Sequence, residues 1–104
     1  MRFDNPYWSE RSKAQMLQRW ILVHSIIYYQ LDSNVVSDHM YDANCKQLVE
    51  LMEKHPSECK KTKYYRQFRG FDGSTGCDLY SKLDNAESEY LVNIAQRLIK
   101  KYGR

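Results

Sequence analysis

A mainly α fold follows from three observations on this 104-residue sequence. Three long segments repeat apolar residues on a 3.6-residue period. Residues that start or stop helices bracket each of them. The glycines crowd elsewhere: three of the four lie between Gly70 and Gly76, in a run that suits a turn and no element interior. The expected architecture is a helical hairpin and a C-terminal helix, with an irregular Gly-containing segment at 60–83 that has room for a short β-hairpin. One helical domain is expected over 1–104: a hairpin at 9–56, a basic and Gly-rich segment at 57–83, and the last helix at 84–104.

The first helix runs from about Ser9 to Leu31. Met16, Trp20, Val23, Ile27 and Leu31 form its apolar stripe, with Leu17, Ile21 and Tyr28 beside it. Ser9 suits the N-cap, and Glu10 suits the positive end of the helix dipole. Asp32-Ser33-Asn34 is a polar break. Ser37 or Asp38 caps the second helix, Asp38 to Lys54, whose stripe is Tyr41, Cys45, Leu48 and Met52. Pro56 ends it, because the residue before a proline avoids the helical region. Tyr64 to Phe68 reads as a short strand, and Cys77 to Leu83 as a short helix or strand. The third helix spans Asn85 to Tyr102, with Leu91, Ile94, Leu98 and Tyr102 as its stripe and Ala95 alongside. Asp84 and Glu87 have capping-box spacing, and Gly103 suits the C-cap.

Composition narrows the function. Apolar residues make up 42% and charged residues 28%, which is globular rather than disordered. No run of about 18 apolar residues is present, so no membrane span is expected. The N-terminus lacks the apolar core of a secretory signal. Three cysteines, Cys45, Cys59 and Cys77, suit neither a disulfide framework nor a zinc knuckle, and a reduced cytosolic setting is the simplest expectation. His39 and His55 have no ligand-like spacing, so no metal site is expected, and His24 reads as a satisfied core or boundary residue. The net charge of +3 is too mild to argue for nucleic acid. Nine tyrosines suit either ligand stacking and interfaces or a Tyr-rich core.

One candidate site lies where the first helix ends and the second begins. Tyr28 and Tyr29 come from the first; Asp38, Tyr41 and Asp42 come from the second, at i, i+3 and i+4 on one face. An aromatic wall and two carboxylates suit a flat cationic or amide-bearing ring and ribose hydroxyls. The plainer alternative makes Asp38 a cap, Tyr41 core and Asp42 solvated.

This segment resembles the N-terminal helical domain of NAD-dependent bacterial DNA ligases. That family's pattern is roughly Y-[YH]-x-x-D-x-P-x-[IV]-S-D-x-x-Y-D-x-L, followed after a helix by H-P-E. Tyr28, Asp32, Val36, Ser37, Asp38, Tyr41, Asp42 and His55-Pro56 fall into the frame without a gap. Tyr29 stands where histidine is usual, Asn34 where proline is, and Asn44 where an apolar residue is. The resemblance implies that Tyr28, Asp38, Tyr41 and Asp42 contact the nicotinamide mononucleotide half of NAD, with Tyr29 at their side. The family's K-x-D-G lysine, the adenylated residue of the catalytic domain, has no counterpart. Gly70-Phe71-Asp72-Gly73 carries glycine at that place, so neither ligase activity nor other enzymatic chemistry is expected. The F-D-G-S-T-G stretch looks like a segment of small stand-alone ligase-related phage proteins. Its Ser74 and Thr75 suit either a phosphate cradle or a plain tight turn.

Lys60, Lys61, Lys63, Arg66 and Arg69 interleave with Tyr64, Tyr65 and Phe68. The pattern suits single-stranded nucleic acid, an acidic partner protein, or a solvated loop with its aromatics turned inward. The reading of the whole is a non-catalytic, phage-type binding protein in the cytoplasm of a bacterial host. Its expected ligand is NAD or nicotinamide mononucleotide. The alternative is an inhibitor that contacts a host defence or replication protein.

Overall fold

The computed structural model describes residues 8–73 and 79–102. Helix α1 (Glu10–Ser25) is opened by Ser9, whose side chain accepts from the Ser12 N–H at 3.1 Å. The helix does not stop at Ser25. It widens into one π-helical turn, Ile26–Gln30, closed by the Leu31 N–H donating to the Ile26 carbonyl at 3.0 Å. Asp32 then takes a left-handed conformation, φ 48°, which a short polar side chain tolerates, and the chain reverses. Helix α2 (Asp38–Lys54) starts at Ser37, whose hydroxyl accepts from the Met40 N–H at 3.1 Å. Of the two expected caps the serine takes the role, and Asp38 becomes the first helical residue.

His55 breaks α2, and Pro56 opens a single turn, α3 (Pro56–Cys59). The stretch Tyr64 to Phe68, expected as a strand, is instead a helical turn, α4 (Tyr65–Phe68). Tyr80–Lys82 forms one 3₁₀ turn, and among the described residues there is no strand. Helix α5 (Asn85–Tyr102) matches its expected bounds. Asp84 accepts from the Glu87 N–H at 2.8 Å, which is half of a capping box. The Glu87 carboxylate does not reciprocate; it takes the Lys63 ammonium at 2.9 Å and the Tyr64 hydroxyl at 3.1 Å. The fold is mainly α. Gly103, Pro6 and Ser74 to Asp78, with the cradle and thiol they were expected to supply, lie outside the described residues.

The core forms around α1, which packs on α2, α3 and α5. Three-sided contact buries more of α1 than one stripe. Leu17, Ile21, Leu22 and Ile26 are sealed, together with Leu48 of α2 and Leu91 and Ala95 of α5. Met16, expected inside, is 39% exposed, and Tyr102 is 55% exposed. Gln18 is buried because its amide donates to the Thr62 hydroxyl at 2.8 Å, which in turn donates to the Cys59 carbonyl at 2.6 Å. That clip ties the segment after α3 onto α1 and leaves it no strand partner. Gly73, at φ 83°, sits against α2, where a Cβ would come within 3.3 Å of Val49. Among the described residues no helix is long and apolar enough to cross a membrane.

Candidate functional site

The π-turn sets the site. A helix that closes hydrogen bonds over five residues instead of four carries one extra residue in the turn, and such turns recur at functional sites. Here its third and fourth residues, Tyr28 and Tyr29, point outward, 50% and 42% exposed. Their rings meet edge to face, with centroids 4.8 Å apart and planes at 78°. The reversal at Asp32 brings the first turns of α2 against them. Asp38, Tyr41 and Asp42 share one face of that helix.

Between them lies a cavity of about 240 Å³. It is smaller than the roughly 300–1,000 Å³ that takes a drug-sized ligand. Tyr28, Tyr29, Asp38, Tyr41 and Asp42 all line it. Every residue expected at the hairpin junction is therefore brought to one hollow. Ile27, Val35 and Val36 supply apolar wall, and Asn34 and His24 complete it. The open-sided carboxylates of Asp38 and Asp42 stay at the solvent face, since both residues are exposed.

Of the lining groups, His24 is buried and Tyr41 is half-buried, and both are uncharged. His24 is 6% exposed, and burial pushes its imidazole down to about 4, so the ring is neutral at physiological pH. Its Nδ1 has no partner among the described residues, so the expectation of a satisfied histidine is corrected. Tyr41 is held far above the ordinary phenol range, first by burial and then by its neighbours Cys45, Tyr29 and Asp42. The Cys45 thiol lies close enough to influence it, yet the Tyr41 hydroxyl completes no hydrogen bond of full geometry among the described residues. Burial also raises the Cys45 thiol to about 12, which leaves it protonated and a poor nucleophile. Among the described residues no three His, Cys, Asp or Glu side chains converge as a metal site.

Sequence reasoning passed over His24. It stands four residues before Tyr28 and four after Trp20, a spacing that marks a shared helical face but does not reveal an open nitrogen. The Trp20 indole lies 4.3 Å from its ring and 6.1 Å from that of Tyr41.

The second group of expected contact residues is split. Lys60, Lys61, Lys63, Arg66 and Arg69 are exposed. Tyr64 and Phe68 are buried and Tyr65 is half-buried. The Tyr64 phenol is raised to about 12 by burial and by its bond to Glu87. Its face is committed to the core, so the segment presents cations without the stacking platform that single-stranded nucleic acid uses.

Compared with protein families, residues 8–62 match the DNA ligase-like, N-terminal NAD+-binding domain. The matched span is just over half of the chain and holds α1, the π-turn, α2 and α3, hence every residue that lines the cavity. No curated protein and no solved structure matches.

Proposed function

We propose, since the chain belongs to the family of DNA ligase-like N-terminal NAD+-binding domains, that its cavity binds the nicotinamide mononucleotide half of NAD+. The observation that carries this is the convergence of Tyr28, Tyr29, Asp38, Tyr41 and Asp42 on one cavity inside the matched span. The tyrosine rings offer faces to a pyridinium. Asp38 and Asp42 place negative charge beside it and accept from ribose hydroxyls. Val35, Val36 and Ile27 keep water from the ring's edge.

The role is binding without catalysis. Glycine stands where the adenylated lysine of the ligases would be, and the Cys45 thiol, next to Tyr41, is held protonated. Such a protein would sequester the nucleotide in a phage-infected cell, or lend the domain to a partner that lacks it. Calorimetric titration of the full chain tests this. Nicotinamide mononucleotide and NAD+ are expected to bind saturably, and ADP-ribose, which has no nicotinamide, is not. Bound ligand also raises the melting temperature, by about 2.7 kcal/mol of added stability at a hundredfold excess over Kd. No heat and no shift at millimolar nicotinamide mononucleotide would end the proposal.

A second reading, contact with an acidic host protein, is supported by the exposed cations Lys60, Arg66 and Arg69. Reversing Arg66 and Arg69 to glutamate is expected to abolish capture of such a partner and leave nucleotide binding untouched.

A further inference from the structure

We propose that His24 and Tyr41 form a carboxamide clamp in the cavity, and that this pair selects an aromatic amide over the corresponding aromatic acid. The inference rests on the nucleotide-binding reading above. It adds which group on the bound ring is recognised, and by which atoms.

Five buried side-chain polar atoms of the described residues complete no hydrogen bond of full geometry, and two of them, His24 Nδ1 and Tyr41 Oη, the latter with only the weak Cys45 thiol beside it, belong to residues that line the cavity. Gln18, Asn44 and Gln67, which hold the others, do not line it. Both rings lie beside the same indole, Trp20, with centroids 4.3 and 6.1 Å away, and both line the same cavity. A buried polar atom with an unmade bond is costly in a native fold, and it marks where a partner belongs. Both atoms are covered in the free chain. Tyr28 and Tyr29, the exposed tyrosines of the π-turn, line the same cavity.

The chemistry of the missing partner follows. A phenol hydroxyl donates or accepts, and Nδ1 of a neutral imidazole does one or the other according to its tautomer. A primary carboxamide carries a carbonyl acceptor and two N–H donors in one plane, so it satisfies both atoms with either tautomer. A carboxylate only accepts, so it satisfies both atoms in one tautomer alone, with the proton on Nδ1, and fixes the imidazole in that state. It also brings negative charge into a hollow already flanked by Asp38 and Asp42. A site built to bond one group rejects the analogue that leaves its polar atoms unpaired.

The test titrates the full chain with nicotinamide mononucleotide and with nicotinic acid mononucleotide. Wild type is expected to prefer the amide by about tenfold or more. His24→Phe keeps a ring and loses Nδ1; the preference should collapse to within about threefold. His24→Asn, which returns a polar atom close to the Nδ1 position, should restore part of it. The imidazole ¹⁵N signals of wild type give a second readout that needs no variant: the His24 Nδ1 resonance should move with the amide and hold still with the acid. Equal affinity of wild type for the two nucleotides, or a His24 resonance indifferent to the amide, overturns the clamp and leaves nucleotide binding standing. Binding of neither nucleotide at millimolar concentration overturns both.

Discussion

His24 shows how a single side chain ties stability to the site. Its imidazole titrates near 6.5 in an unfolded chain and is pushed down to about 4 by burial in the fold. Between those values the unfolded chain binds the extra proton, so stability rises with pH across that window and is lost as pH falls through it. The loss attributable to this one ring is on the order of 3 kcal/mol by pH 4. Urea unfolding at pH 7 and pH 4.5 should show the drop in wild type and a visibly smaller one in His24→Phe; identical pH dependences would mean that the imidazole is not buried neutral. At this scale the sequence was legible where residue type and spacing agree. Asp38, Tyr41 and Asp42 on one face, with Tyr28 and Tyr29 opposite, could be read before any coordinates. His24 could not, because an apolar-stripe histidine has the same appearance whether its nitrogens are bonded or open, and only the burial of Nδ1 without a partner separates the two.

Among the elements, α2 and α5 end at the residues expected of them, since Ser37, Pro56 and Asp84 punctuate the chain through backbone sterics and caps that act locally. The π-turn had no such signature. Its extra residue is tolerated because α5 packs on it and the chain turns at Asp32 immediately after, and both are tertiary facts. The basic segment was misread for a related reason. Tyr64, Tyr65 and Phe68 are residue types that favour strands, yet Gln18 and Thr62 pull the chain onto α1 and leave only helical turns. The cap of α2 matters to the site as well as to the helix, because Asp38, Tyr41 and Asp42 occupy its first turns. Ser37→Ala should cost about 1 kcal/mol, measurable by urea unfolding, and should weaken nucleotide binding severalfold through fraying of that end. A variant of unchanged stability would show that the Ser37 hydroxyl bond to Met40 contributes nothing.

Across the whole molecule, α1 is the organising element: it carries the core on three sides and delivers the site at its C-terminal end. Leu22 is sealed within it. Leu22→Ala should therefore destabilise by about 2–5 kcal/mol, seen as a lowered urea midpoint, whereas Met16→Ala on the exposed flank should stay within about 0.5 kcal/mol. A reversed ranking would restore the stripe that spacing alone suggested. The family match ends at residue 62, close to where the clip between Gln18 and Thr62 begins the second half of the fold. The site lies entirely on the matched side, and α5 braces the π-turn from the other.

The central claim is that nicotinamide mononucleotide occupies the hollow between the π-turn and α2. An amide ¹H–¹⁵N titration of the full chain with that nucleotide tests it most directly. Saturable shifts should centre on residues 24–42, with Ser81, Lys82 and Glu89 unmoved. Signals that stay still throughout, or shifts centred on Lys60 to Arg69 instead, would contradict it.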